Sequence, residues 1–249
     1  MNVTYHKWWS PALGRDMELK AYGHAGKPTL VFPSSGGRFH DYEDNGMVES
    51  AAPFVRDGRV TLYAVDGVDH ESWLNRDIDP GRRADRHEAY ERYILEEVVP
   101  FVRGRSRNTR KLMTTGCSMG AYHAVNFHLR YPHTFDLSLG LSGLYGPRFL
   151  LGDFMDDRLY FHFPLMYLPG LTDPAYLDPL RESRVVLCVG RGPWERCDQY
   201  DCIGETEALA RILEEKRIPH WADFWGEDVA HDWHWWRRQL PYFLGELDL

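Results

Sequence analysis

Short apolar runs recur along the chain and alternate with stretches of helical periodicity. Apolar runs at 29–32 and 60–65 predict strands buried on both faces of a sheet, and further strands are predicted at 136–142, 184–189 and 219–225. Before them, β-rich runs at 4–9 and 16–22 are separated by turn-forming residues and predict a hairpin. This alternation of strands and helices predicts an α/β fold with a mostly parallel central sheet and helices on both faces.

Amphipathic patterns predict helices at 41–56, 86–103 and 203–216, and a final helix that begins around Trp233. On that final helix Trp233 and Trp236 share one face, so we expect this pair to pack inward and brace the loop before it. Residues 1–249 are expected to form a single α/β domain, since this length is typical of one.

The pattern breaks at 144–181, which is rich in proline, glycine, aspartate and aromatic residues and contains no clean strand. An apolar but irregular insertion after a late strand predicts a lid-like wall over a pocket. Phe161 and Tyr167 lie in it, and we expect them to contact the substrate and select it by size. The alternative is a surface excursion that packs on its own.

The stretch 112–126, LMTTGCSMGAYHAVN, runs from a strand pattern through a tight turn into a helix pattern. Gly116, Ser118 and Gly120 form a G-x-S-x-G motif, in which the glycines relieve crowding and the serine hydroxyl is lifted clear of the sheet. The free amides of the first helical turn can stabilise an oxyanion there. Ser118 is therefore a candidate nucleophile, and the alternative is a serine that only caps the helix.

Candidate partners for this serine follow the last two predicted strands. Glu195 and Asp198 come just after 184–189, and Glu195 is favoured because it is nearest the strand and is expected to be anchored by Trp194. His231 lies in the loop before the final helix, whereas His234 is expected inside that helix with less freedom to turn. The order Ser118, acid, His231 along the chain is the order that an α/β architecture of this kind uses.

Two loops are candidate walls of the same site. The small-residue loop 34–38 follows the strand at 29–32, where a backbone amide can approach a ligand closely, although it is equally consistent with a flexible turn. Asp69 lies beyond the carboxyl end of the strand at 60–65, on the side where open α/β sheets bind ligands. The alternative for Asp69 is a hydrogen bond within its own turn.

Composition and charge indicate which partners and cofactors to expect. The net charge of −8 and the scattered lysines and arginines argue against a nucleic-acid partner. No basic start precedes an apolar run and no stretch reaches bilayer length, so we expect a cytoplasmic protein without membrane association. Cys197 and Cys202 could pair or bind a metal, but free thiols are expected, and no metal or cofactor is predicted.

Three motifs resemble those of α/β-hydrolases, and more narrowly the esterase family that includes esterase D and the antigen 85 mycolyltransferases; they are FPSSGG at 32–37, GCSMGAY at 116–122 and AHDWHWW at 230–236. The resemblance follows nearly the whole chain in element order. It implies about eight strands, a Ser-acid-His triad, and substrates that range from small thioesters to sugar and lipid esters. Relatives often carry His-Gly in place of Ser34 and Ser35. We assign the oxyanion hole to the amides of Met119 and Gly36.

The predicted function is that of a serine esterase acting on a small-molecule ester through an acyl-enzyme intermediate. Ser118 attacks the carbonyl, His231 takes its proton and Glu195 holds the imidazole ring. An acyltransferase that uses the same residues is one alternative. A binding protein without catalysis is another, because a fold does not guarantee its chemistry.

Overall fold

The computed structural model describes residues 1–106, 111–152, 154 and 156–249. Eight strands form one sheet in the order β1-β2-β4-β3-β5-β6-β7-β8. Their bounds are β1 Val3–Ser10, β2 Arg15–Tyr22, β3 Lys27–Phe32, β4 Val60–Val65, β5 Leu112–Cys117, β6 Phe135–Leu141, β7 Arg184–Val189 and β8 His220–Phe224. The prediction of an α/β fold with a mostly parallel sheet is confirmed.

The sheet is antiparallel only at the beginning of the chain. Strand β1 pairs with β2, and β2 pairs with β4, in antiparallel register, which confirms the predicted hairpin. All pairs among strands β3 to β8 are parallel. The carboxyl ends of β3, β5, β6, β7 and β8 therefore lie side by side along one edge of the sheet.

Twelve α-helices cover the sheet within the described residues. They are α1 Asp41–Asp44, α2 Met47–Ser50, α3 Ala52–Arg56, α4 Pro80–Arg92, α5 Val99–Arg105, α6 Met119–Arg130, α7 Arg148–Leu151, α8 Asp157–Tyr160, α9 Pro164–Tyr167, α10 Pro174–Arg181, α11 Cys202–Glu215 and α12 Trp233–Glu246. A π-helical stretch, Tyr93–Val98, joins α4 to α5.

Two helix predictions differ from the structure. The helix predicted at 41–56 is three short helices, because the chain turns at Gly46 with φ of 73° before α2 begins. The helix predicted to begin at Arg86 begins at Pro80, where the Asp79 side chain accepts a hydrogen bond from the Arg82 amide and caps it.

Each buried strand contributes side chains to two cores, one on each face of the sheet. In β3, Val31 packs on the face covered by α12, whereas Leu30 and Phe32 pack on the opposite face with residues of α4 and α6. This alternation follows from the period of two along a strand. It explains why the central strands are apolar throughout.

Segment 144–181 contains the short helices α7 to α10 and lies against helix α6; its residues Asp153 and Met155 lie outside the described residues. Leu150 and Phe163 pack with Met119 and Tyr122 of α6. Most of the segment is therefore attached along α6 by apolar contacts.

Two further properties concern the whole described chain. No helix in the described ranges combines the length and the apolar character needed to cross a bilayer. All four cysteines are free thiols, as predicted.

Candidate active site

Ser118 lies in the tight turn between β5 and α6. Its backbone has φ of 55° and ψ of −120°, a conformation that costs energy for a residue with a side chain. The Ser118 amide donates to Leu141 O at the end of β6 at 2.8 Å, which fixes the start of the turn to the neighbouring strand. Its side chain makes no capping hydrogen bond to α6, so the capping alternative does not describe this serine.

Gly116 and Gly120 are required by the close approach of backbones around Ser118. A β-carbon at Gly116 would lie 2.4 Å from the Gly120 carbonyl carbon, and one at Gly120 would lie 2.4 Å from Phe32 O. These atoms are backbone and cannot rotate away. The glycines of the motif thus permit β3, β5 and α6 to meet at the serine.

Glu195 and His231 form a hydrogen-bonded pair at the same edge. Glu195 Oε2 lies 3.1 Å from His231 Nδ1, and the Glu195 side chain is fully buried whereas that of His231 is 16% exposed. Because an ionised carboxylate can only accept hydrogen bonds, Nδ1 carries the proton in this contact. The other ring nitrogen, Nε2, is then free of the proton and able to accept one.

The Glu195 carboxylate is held from its other side by two donors. Oε1 accepts hydrogen bonds from the Ser142 hydroxyl at 2.6 Å and from the Gly190 amide at 3.2 Å. The expectation that Trp194 anchors Glu195 was wrong, since that indole is 64% exposed. Sequence reasoning missed Ser142, although its place at the carboxyl end of β6 could have indicated it.

A cleft of about 210 Å³ opens between these residues; it is lined by Ser35, Ser118, Met119, Leu144, Phe149, Tyr200 and His231. Within the described residues no hydrogen bond joins the Ser118 hydroxyl to His231, a contact that in free enzymes often tightens only when substrate binds. A larger cavity of about 1140 Å³ lies at the opposite edge of the sheet, beside Lys27 at the start of β3. It contains neither Ser118 nor His231.

The competing acid and base lie outside this cleft. Asp198 is exposed to solvent, and His234 is an exposed residue within α12 whose ring contacts Trp235. The structure therefore places His231 in the cleft with Ser118 and Glu195 against His231, whereas Asp198 and His234 do not line that cleft.

The loop after β3 reaches the cleft through Ser35, whereas Gly36, predicted as an oxyanion donor, does not line it. Gly36 has φ of 67° and turns against His70, so closely that a β-carbon would lie 2.4 Å from Nε2 of that ring. The loop is fixed because Asp41 Oδ2 accepts hydrogen bonds from the Ser34 amide at 3.0 Å and from its hydroxyl at 2.9 Å.

The three residues predicted to bind substrate, Phe161, Tyr167 and Asp69, do not line this cleft. Phe161 and Tyr167 line a separate cavity of about 560 Å³ beside Arg130, at the end of α6 opposite to Ser118. Since α6 has 12 residues, its two ends lie about 18 Å apart. Asp69 is buried with Oδ1 2.9 Å from His123 Nε2, so its carboxylate is occupied inside the protein.

Two groups of described residues have a spacing that could hold a metal ion. In the first, Cys202 lies beside Glu195 and His231, but burial, and next the charge of Glu195, raise the pKa of its thiol well above the ordinary value. A thiol held in this form is a poor nucleophile and does not compete with Ser118.

The second group is His87, Glu91 and His162, all of which are buried. The Arg130 guanidinium already contacts the Glu91 carboxylate and lies 3.2 Å from His162 Nδ1. Because a cation already occupies this place, we assign no metal to it.

Solved structures with the same fold include several hydrolases. A ferulic acid esterase matches with a TM-score of 0.74 at 15% identity, over 98% of this chain and 96% of that chain. FphF, a fluorophosphonate-binding serine hydrolase of Staphylococcus aureus, gives 0.73 at 15% identity over 98% and 97%. An S-formylglutathione hydrolase from Agrobacterium tumefaciens gives 0.74 at 11% identity over 98% and 93%.

These likenesses establish the α/β-hydrolase fold. No curated protein sequence matches the chain. The profile of the family described as "Putative esterase" matches residues 10–247, which is nearly the whole chain. The chain therefore belongs to this esterase family and is a hydrolase of that kind.

Proposed function

We propose that the chain is a serine esterase with Ser118 as nucleophile, His231 as general base and Glu195 as the carboxylate that orients the imidazole. The Ser118 oxygen bonds to the ester carbonyl carbon while His231 Nε2 takes its proton and then returns it to the departing alcohol. Water attacks the acyl-enzyme next, again losing its proton to His231. The acid is released and Ser118 is restored.

The observation that carries this proposal is the Glu195–His231 contact at the wall of the cleft that also contains Ser118. The contact supports an imidazole with its proton on Nδ1, which is the tautomer that a general base at Nε2 needs. The backbone conformation of Ser118 supports the role of a nucleophile held away from the sheet.

Two backbone amides are proposed to stabilise the tetrahedral oxyanion. Met119 begins helix α6, and amides of a first helical turn have no partner inside the helix. Ser35, in the loop after β3, is proposed as the second donor in place of Gly36, because it is the residue of that loop that lines the cleft.

The size and lining of the cleft favour esters with a small acyl group. Its volume of about 210 Å³ is below the range of about 300–1,000 Å³ typical of ligand pockets. Leu144 and Phe149 supply its apolar wall from segment 144–181. We therefore propose one α/β-hydrolase domain in which the start of this segment, rather than Phe161 and Tyr167, covers the substrate.

The test is hydrolysis of a series of p-nitrophenyl and thioester substrates by the wild-type protein and by Ser118→Ala. We expect turnover of short-chain esters by the wild type and none by the variant, with the same melting temperature in both. Equal turnover by a folded Ser118→Ala variant would refute the assignment of Ser118 as the nucleophile.

Adding alcohols as acceptors to this assay separates hydrolysis from acyl transfer. A free acid as the main product supports the esterase, whereas a new ester as the main product would identify an acyltransferase that uses the same residues. The cytoplasmic location and the absence of a nucleic-acid partner stay predictions from the sequence.

A further inference from the structure

A chain of hydrogen bonds connects Trp236, on helix α12, to the Glu195–His231 pair. The indole Nε1 of Trp236 donates to Ser142 Oγ at 3.1 Å, and the Ser142 hydroxyl lies 2.6 Å from Glu195 Oε1. Glu195 Oε2 then contacts His231 Nδ1 at 3.1 Å. Three elements of the fold contribute to this chain, namely α12, the end of β6 and the loop after β7.

Trp236 fixes the direction of the hydrogen bonds that follow it in this series. An indole nitrogen can only donate, so Ser142 Oγ must accept from Trp236. The single hydroxyl proton of Ser142 is then directed to the Glu195 carboxylate, which can only accept when ionised. Oε1 is held in this way, and Oε2 is left facing His231 Nδ1.

The surroundings leave these groups few other partners. Ser142 and Glu195 are fully buried and Trp236 is 4% exposed, so water does not compete for their hydrogen bonds. Ser142 is also held in place by its backbone, which has φ of 55° and whose amide donates to Cys188 O at 2.7 Å. The Trp236 ring contacts the His231 ring edge to face, with centroids 4.9 Å apart.

We propose that Trp236 and Ser142 are positioning residues for the esterase reaction, an inference that rests on the proposed function of Ser118, His231 and Glu195. Trp236 sets the direction of the Ser142 hydroxyl, and that hydroxyl holds the Glu195 carboxylate in the orientation that His231 requires. Neither residue lines the cleft. Their removal therefore lowers kcat and leaves KM nearly unchanged.

A double-mutant cycle tests whether Trp236 and Ser142 act through the same series of hydrogen bonds. Trp236→Phe keeps an aromatic ring but removes the donor, and Ser142→Ala removes the hydroxyl that receives it. Ser142→Ala removes a hydrogen bond to the Glu195 carboxylate, and Trp236→Phe removes the donor that directs that bond. We therefore expect each single variant to lower kcat for a p-nitrophenyl ester by about tenfold. In the Ser142→Ala background, Trp236→Phe should change kcat by less than about twofold, because the residues act in series.

Trp233→Phe is the matched control. Trp233 is partly buried on the same helix and packs edge to face on Trp236, with centroids 4.9 Å apart. Its indole makes no hydrogen bond to another described residue. The control variant therefore loses part of an aromatic ring but none of the hydrogen bonds that connect Trp236 to His231. We expect its kcat to equal that of the wild type.

Two results would overturn the inference. One is a folded Trp236→Phe with wild-type kcat, and the other is a kcat loss for Trp236→Phe that is equally large with and without Ser142, as simple packing would give. If Trp236→Phe does not fold, Ser142→Ala must still lower kcat without raising KM. Ser142→Gly relieves the positive φ and should behave in the same way.

The Ser118→Ala assay keeps this result separate from the proposed function. If Ser118→Ala retains activity, the proposed function fails. If Ser118→Ala is inactive and Trp236→Phe is as fast as the wild type, the proposed function stands and only the positioning role is overturned.

Discussion

Glu195 Oε2 and His231 Nδ1 lie 3.1 Å apart although 36 residues separate them along the chain. Strands β7 and β8 are paired in parallel, with Val189 opposite Phe224 at their carboxyl ends, so the loops that follow them begin side by side. The loop geometry is fixed further because the His231 amide donates to Pro193 O at 3.0 Å. The pairing of two strands thus brings a carboxylate and an imidazole together.

Replacing either glycine of the serine turn with alanine is expected to destabilise the protein and abolish esterase activity. The new β-carbon would overlap backbone atoms at 2.4 Å, so β3, β5 and α6 would have to move apart. We expect Gly116→Ala and Gly120→Ala each to lower the free energy of unfolding by about 3 kcal/mol or more, as measured by urea denaturation.

Gly104→Ala, in helix α5, is the control for these variants. A β-carbon there would have no atom within 4 Å, so its stability should stay within about 1 kcal/mol of the wild type or exceed it. Full activity in Gly116→Ala would show that the turn has another geometry.

Phe149→Ala is expected to widen the cleft and shift the preferred acyl chain to greater length. Phe149 lies in α7 and packs edge to face on Tyr200, with centroids 5.7 Å apart. We expect the ratio of kcat/KM for an octanoyl ester over an acetyl ester to rise about tenfold or more, since even one methylene group accommodated in an apolar pocket is worth about that much.

Phe161→Ala serves as the comparison, because Phe161 lines the separate cavity beside Arg130. Its acyl-length profile should match that of the wild type. A profile that changes in Phe161→Ala and stays constant in Phe149→Ala would show that the later part of segment 144–181 contacts the substrate.

Stability is expected to fall in mild acid because of buried histidines. Burial lowers the pKa of His128 to about 3, and its ring nitrogens lie 2.9 Å from the hydroxyls of Ser138 and Ser183. Below the unfolded pKa of about 6.5 the unfolded chain binds a proton that the folded chain does not, so stability is lost as pH falls toward 3. Burial lowers the pKa of His87 as well, and it acts in the same direction.

The measurement is the free energy of unfolding in urea between about pH 6.5 and about pH 5. The expected slope from each histidine rises over this range and approaches about 1.4 kcal/mol per pH unit near pH 5. His128→Asn should lose the contribution of one histidine to the pH slope of the unfolding free energy. His24→Asn, at an exposed position, should keep the wild-type slope. Identical slopes in His128→Asn and the wild type would show that His128 is not a source of the acid sensitivity.

The sequence was most informative where one local constraint decides the structure. Strands β3 to β7 are largely buried on both faces, so their apolar runs were visible without knowledge of the sheet order. Strand β8 lies at the edge of the sheet and is only partly buried. Gly116 and Gly120 identified the turn at Ser118 for the same reason, since only residues without a side chain fit there.

The sequence was less informative where the path of a loop depends on distant contacts. Ser35 and Gly36 are neighbours in a loop of small residues, and the sequence does not indicate that Ser35 is the one that lines the cleft. Phe161 and Tyr167 were expected over the serine because they are aromatic. The packing of segment 144–181 along α6 places them at the other end of that helix.

The most direct test of the account is the site of reaction with a fluorophosphonate, located by mass spectrometry of the modified peptide. We expect one phosphonyl group on Ser118 in the wild type, no labelling in Ser118→Ala, and much slower labelling in His231→Ala because the proton acceptor is lost. Labelling at another residue, or a folded wild-type protein that hydrolyses esters without reacting at Ser118, would contradict it.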